Sequence, residues 1–156
     1  VATIENKTVQ KEDLQERVWV TRRGIHVDRI ASAWLIQRFI DRKARFKFVE
    51  GKSYSPKKDE LRFDMFEAEF THEGELCTFE VLIERANLSS DRALKEIGQI
   101  IHNIDLRDHK YQREDVQGIE QVINGICMAN KDDEMRLEHG ISVMGALYEY
   151  FRRKNK

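Results

Sequence analysis

Residues 27–48 carry the apolar pattern around which the rest of the chain is organised, and they predict a buried helix followed directly by a strand. In VDRIASAWLIQRFI the apolar residues occupy most of the helix circumference, which is typical of a helix buried on several sides. Asp28 is the predicted N-cap, because its carboxylate can accept from the free N–H groups of the first turn at the positive end of the helix dipole. The alternation of Phe46, Lys47 and Phe48 then indicates a half-buried strand.

Two further β regions flank this helix-and-strand unit. The β-branched and aromatic segment RVWVT at residues 17–21 predicts a strand that ends at the basic pair Arg22 and Arg23. Residues 50–62 hold the only proline and predict a loop, or a loop with one turn of helix in PKKDEL. Residues 63–79 contain FDMFEAEFTH and ELCTF on either side of Gly74, a pattern that predicts a β-hairpin.

From residue 79 onward the apolar spacing becomes helical. It predicts a short helix in VLIERANL, a longer one capped by Ser89 or Ser90, and two more at residues 115–129 and 132–152. The predicted fold is α+β and predominantly helical, with a small antiparallel sheet and its hairpin packed by about five helices. Residues 1–16 are predicted to be a polar N-terminal arm and residues 17–156 a single domain.

Charge and hydropathy restrict the partners of the chain. Its 27 basic and 28 acidic side chains give a net charge of −1, so there is no bulk attraction to nucleic acid or anionic lipid. No segment approaches the ~20 apolar residues of a membrane span, and the polar start lacks a signal-peptide core. We therefore expect a cytoplasmic protein without membrane contact, with an exported form left open if a leader was removed. The two cysteines are expected to be free thiols.

Several motifs resemble one known family. The segments WVTR at residues 19–22, VDRIA at 27–31, GELCTFE at 74–80 and IHNIDLRD at 101–108 are similar to the C-terminal domain of the chromate-resistance ChrB family. The resemblance extends over residues 19–151. It implies a link to chromate resistance and its regulation, and contact with DNA only through an N-terminal region that this chain does not contain. This chain has Ser32-Ala33 where the family is expected to have Cys-Pro, which removes a thiol role there.

Histidine and carboxylate residues form a candidate metal site. His102 and Asp105 are three residues apart and share a helix face, while the predicted hairpin carries Glu69 and His72. Carboxylate and imidazole ligands suit zinc, iron or manganese. The predicted ligand set is His72, His102, Asp105 and Glu69. Alternatively, His102 and Asp105 form a structural pair, and Asp28, Cys77 and an inward-facing Glu138 are structural polar residues.

Basic residues around the start of the central helix form a candidate oxyanion site. Chromate is a tetrahedral dianion like sulfate, and guanidinium groups, hydroxyls and helix N-termini bind such ions. The predicted residues are Arg22, Arg23, Arg29 and Ser32. Asp28 would repel a dianion. Alternatively, Arg29 has a structural role and pairs with a buried carboxylate such as Asp105 or Glu138.

These candidates leave three functional hypotheses open. The first is a chromate-resistance-associated sensing or regulatory domain that binds a metal ion, an oxyanion such as chromate, or both. The second is a metal-dependent enzyme that acts on an oxyanion or a reactive oxygen species, with help from Cys77. The third is a structural or interaction domain with a buried polar network. A homodimer is left open in each case.

Overall fold

The computed structural model describes residues 10–155, and its sheet consists of three parallel strands. The central strand β1 (Val18–Arg22) lies between β2 (Arg45–Val49) and β3 (Glu60–Arg62). Trp19 is opposite Phe46 on one side and Leu61 on the other. The α+β prediction is confirmed, as are the first two strands, but the antiparallel direction is wrong because β1 and β2 are joined by a helical crossover.

The described residues form five α-helices, and the apolar pattern of the sequence predicts a helix at the position of each. They are α1 (Val27–Leu35), α2 (Thr78–Arg85), α3 (Arg92–Leu106), α4 (Val116–Ala129) and α5 (Asp133–Lys154). A π-helical turn, Ile36–Ile40, follows α1, and a 3-10 helix, Lys11–Leu14, precedes β1. Residues 1–9 of the predicted arm lie outside the described residues. Among the described residues, no helix combines the length and hydropathy that a membrane span needs.

The predicted hairpin at residues 63–79 is wrong. Residues 63–77 form a loop that makes two isolated β-bridges, Phe63 to Phe70 and Glu73 to Leu76, and α2 begins directly afterwards. The loop follows β3 and is drawn into the core by its aromatic residues, since Phe63 and Phe70 are fully buried against Trp19. This loop carries His72 towards the helices.

Helix α1 lies at the centre of the core, as its apolar circumference predicted. Every residue of α1 except Arg29 is buried. Helix α5 approaches α1 so closely that a Cβ on Gly140 would lie 2.3 Å from Cγ2 of Ile30. The predicted helix starts are wrong in two places, because His26, not Asp28, is the N-cap of α1, and Asp91, not Ser89 or Ser90, caps α3.

Candidate metal centre and adjoining cavity

Three aspartates from separate parts of the fold surround the imidazole of His72. Its Nε2 lies 3.0 Å from Oδ2 of Asp105 on α3, 3.4 Å from Oδ2 of Asp28 on α1, and 3.6 Å from Oδ1 of Asp64 in the 63–77 loop. We call these four residues the carboxylate cluster. One ligand atom from each of Asp28, His72 and Asp105 lies within 4.8 Å of the other two, a spacing that could hold a metal ion.

The start of helix α2 holds two of these carboxylates in place. The backbone N–H of Phe79 donates to Oδ1 of Asp28 at 3.2 Å, and the hydroxyl of Ser32 donates to the same oxygen at 3.4 Å. The hydroxyl of Thr78 donates to Oδ1 of Asp64 at 2.8 Å. Asp28 therefore caps α2 instead of its own helix, which leaves its Oδ2 directed towards His72.

Burial and mutual repulsion change the protonation of the cluster. Burial, with repulsion from Asp64 and Asp105, raises the pKa of Asp28 to about 6. Burial also raises the pKa of Asp105. The hydrogen bond to Asp28 and the charges of the nearby aspartates raise the pKa of His72 to about 9. The cluster therefore stabilises positive charge at the position of the imidazole.

Arg29 provides a second positive charge at the cluster, besides that of His72, and its partner is Asp64. Its guanidinium donates twice to the carbonyl of Asp64, and its Nε lies 3.4 Å from Oδ2 of the same residue. The predicted pairing of Arg29 with a carboxylate is confirmed, but its partner is Asp64 and not Asp105 or Glu138. Glu138 is exposed, because the turn of α5 that contains it directs other residues to the core; those residues are Leu137, Gly140 and Met144.

The other two residues of the predicted ligand set have different partners. The buried His102 binds Glu80 through Nδ1 at 2.6 Å and Asp108 through Nε2 at 2.8 Å, so both ring nitrogens are engaged. Glu69 accepts from the backbone N–H and the Nε of Arg62. The structure thus brings together His72 and Asp105 but places His102 and Glu69 in separate pairs. The metal role of all four stays a prediction.

Cys77 lies at the N-cap of α2 and is fully buried. Its backbone N–H donates to Oε1 of Glu80 at 3.1 Å, and burial raises the pKa of its thiol, which keeps the sulfur neutral. The sulfur is not part of the metal-compatible group. The other cysteine, Cys127, is also free and buried, as predicted.

A cavity of about 640 Å³ adjoins the cluster, and two of the four predicted oxyanion residues line it. Arg22 and Arg29 line it, together with Lys52, Phe66 and His72. The stem of Arg22 crosses Gly51, where a Cβ would lie 2.7 Å from Cδ of the arginine.

The remaining two oxyanion candidates do not line that cavity. Arg23 is exposed and lies 3.8 Å from Glu50, while the hydroxyl of Ser32 is buried against Asp28. A smaller cavity of about 290 Å³ reaches the cluster as well, lined by Asp28, Asp64 and Asp105.

Asp28 and Asp64 are not among the residues that the sequence predicts for this site. Asp28 is predicted to cap α1, although the spacing of Asp28 and Ser32 by four residues in an apolar helix indicates a buried polar contact. Asp64 carries no such local signal, because its position depends on the path of the 63–77 loop.

The structure thus defines an α+β domain with a partly buried carboxylate–imidazole cluster. Residues 19–151 match the family described as the C-terminal domain of ChrB. The chain is also 37% identical over 142 residues to Protein ChrB of Cupriavidus metallidurans strain CH34, which covers 91% of this chain and 43% of that protein. No solved structure matches the chain. The chain belongs to the ChrB C-terminal domain family, which confirms the resemblance to the chromate-resistance ChrB family, and it spans less than half the length of this relative.

Proposed function

We propose that this chain is a sensing domain associated with chromate resistance, and that it binds a divalent metal ion through Asp28, His72 and Asp105. The convergence of these three side chains within 4.8 Å of one another carries the proposal. They come from α1, the 63–77 loop and α3, so a bound ion would join three separate parts of the fold. Such an arrangement suits a sensor, because occupancy would change how these parts are held together.

The charge of the cluster supports a divalent ion. With a neutral imidazole, the three aspartates contribute three negative charges and Arg29 one positive charge, which leaves a net charge of −2. Buried charge is costly unless it is paired or coordinates a metal. In the metal-free protein a proton on His72 offsets part of this charge, and a divalent ion would offset all of it.

The ligand atoms restrict the kind of metal. One imidazole nitrogen with carboxylate oxygens suits zinc, iron or manganese, and the sulfur of Cys77 is outside the group. The hydrogen bonds from Phe79 and Ser32 to Asp28 are the outer-shell support that metal-binding carboxylates usually have. Three protein ligands leave coordination positions for water or an anion, so the enzymatic hypothesis remains the alternative.

A second candidate function is the binding of chromate or a sulfate-like oxyanion in the adjoining cavity. Among the described residues, none provides the guanidinium of Arg22 with a hydrogen bond or ion pair, although this side chain lines the cavity. A guanidinium can bind two oxygens of a tetrahedral anion at once. Arg29 contributes less to anion binding, because Asp64 already engages it.

Calorimetric titration of the chelator-treated protein with Zn²⁺ and Mn²⁺ tests the metal proposal. We expect one ion per chain, with binding weakened at least about tenfold by Asp105→Asn. Asp59→Asn is the matched control, because Asp59 is an exposed aspartate outside the cluster. Absence of binding, or equal affinities of the two variants, would contradict the proposal and favour a structural polar network.

A parallel titration with sulfate tests the second candidate. Arg22→Gln should weaken sulfate binding, whereas Arg45→Gln, the control at an exposed arginine on β2, should leave it unchanged. Because this chain covers 43% of its relative, regulation through DNA is proposed only for a longer protein.

A further inference from the structure

The tip of the 63–77 loop presents an aromatic ring at the adjoining cavity. Phe66 is 75% exposed, the most exposed phenylalanine among the described residues, and it lines the same cavity as Arg22. A large apolar side chain left in water loses the free energy that burial would provide. Burial of this ring against a ligand would therefore contribute favourable free energy to binding.

The exposure of Phe66 is fixed by the backbone of the loop. The N–H of Ala68 donates to the carbonyl of Met65 at 3.1 Å, which closes a turn with Phe66 in it. Met65 and Phe70 on either side are buried, and Phe70 makes two backbone hydrogen bonds to the segment 62–64 at 3.2 and 2.8 Å. The core thus anchors both ends of the turn and holds the ring outward.

The cavity is much larger than a tetrahedral anion requires. Its volume of about 640 Å³ lies within the range of pockets that bind small organic molecules. Its lining combines positive groups, from Arg22 and Lys52, with apolar side chains, from Met65 and Phe66. Its one carboxylate, Asp64, is paired with Arg29. Such a combination matches a ligand with one anionic end and one apolar end.

We propose that this cavity binds an organic anion whose charged group pairs with the guanidinium of Arg22 and whose apolar part packs on the ring of Phe66. The proposal deepens the second candidate function, with which it shares Arg22, and it is independent of a metal ion. An inorganic oxyanion has no apolar part that could pack on the ring of Phe66.

Two probes with the same charged group test this directly. The metal-free protein is titrated with phenyl phosphate and with inorganic phosphate, which differ by the phenyl ring. We expect phenyl phosphate to bind about tenfold more tightly, because the ring gains buried apolar contact. Phe66→Ala should remove this preference and leave the affinity for inorganic phosphate unchanged, whereas Arg22→Gln should weaken both probes.

Tyr150→Ala is the matched control, because Tyr150 is an exposed aromatic residue on α5, at 64%, outside the cavity. It should retain the preference. Equal affinity for the two probes would overturn the proposal while leaving oxyanion binding intact, and binding of neither would overturn both. A preference that survives Phe66→Ala, or a dimer that Phe66→Ala converts to a monomer, would also overturn it, because the ring would then serve another contact.

Discussion

The carboxylate of Asp28 on α1 accepts a hydrogen bond from the backbone N–H of Phe79 in the first turn of α2, at 3.2 Å. A side chain from one helix thereby caps the start of another, next to the positive end of its dipole. The N-cap residue of α2 is Cys77, whose thiol is a weak acceptor. Asp28, one of the three candidate ligands of the metal centre, is therefore also a structural residue.

Replacement of Asp28 should reveal this structural role. We expect Asp28→Ala to lower the free energy of unfolding by about 1–3 kcal/mol, because the N–H of Phe79 and the hydroxyl of Ser32 lose their acceptor. Asp28→Asn should cost less, since its amide oxygen can still accept and repulsion from the other aspartates is relieved. Urea denaturation measures both variants. An Asp28→Ala protein as stable as the wild type would contradict the capping role.

Two helix glycines, one packed against α1 and one exposed on α4, should respond in opposite directions to replacement by alanine. Gly140→Ala should lower the free energy of unfolding by about 1–3 kcal/mol, because its new methyl group would overlap Ile30, 2.3 Å away. Gly125→Ala on the exposed side of α4 meets no atom within 4 Å and should stabilise the protein by about 0.4–1 kcal/mol. Thermal denaturation compares the two. Equal effects would show that helix propensity, not packing, decides the outcome.

The raised pKa of His102 predicts that the free energy of unfolding depends on pH. Its pKa is raised above 6.5 because Glu80 and Asp108, which bind its two ring nitrogens, outweigh the opposing effect of burial. A group with a raised pKa in the folded state contributes its full stabilisation below 6.5, and that contribution is lost as the pH rises through the folded-state pKa. The stability advantage of the wild type over His102→Gln should therefore shrink as the pH rises above 6.5.

Urea denaturation of both proteins at several pH values on either side of 6.5 measures that advantage. The His102→Gln protein is the reference, because it retains His72, which also has a raised pKa. A difference in stability that stays constant with pH would contradict a charged His102 between two carboxylates.

The sequence predicted the local elements of the fold better than their pairing. Alternation and helical spacing depend on neighbouring residues, so β1, β2 and the five helices could be placed from the sequence. Strand β3 could not, because it has only three residues in a polar segment. The parallel direction does have a signal in the sequence, because strand, helix and strand follow one another along residues 17–49, the order of a parallel crossover unit.

The candidate site was predicted only in part, for a similar reason. His72 and Asp105 were identified by their chemistry, but their meeting depends on how the 63–77 loop packs against α3. His102 shares a helix with Asp105, yet its ring is directed to Glu80 on α2. Spacing along one helix determines which residues share a face, whereas the partner of each side chain is determined by the neighbouring elements.

Anomalous diffraction from crystals soaked in Zn²⁺ tests the metal centre most directly. We expect a single strong peak bounded by Asp28, His72 and Asp105, with Nε2 of His72 at about 2.0–2.1 Å from the ion. The peak should be absent from crystals of Asp105→Asn. A peak at His102 or Cys77 instead, or no peak in the wild-type crystals, would contradict the account.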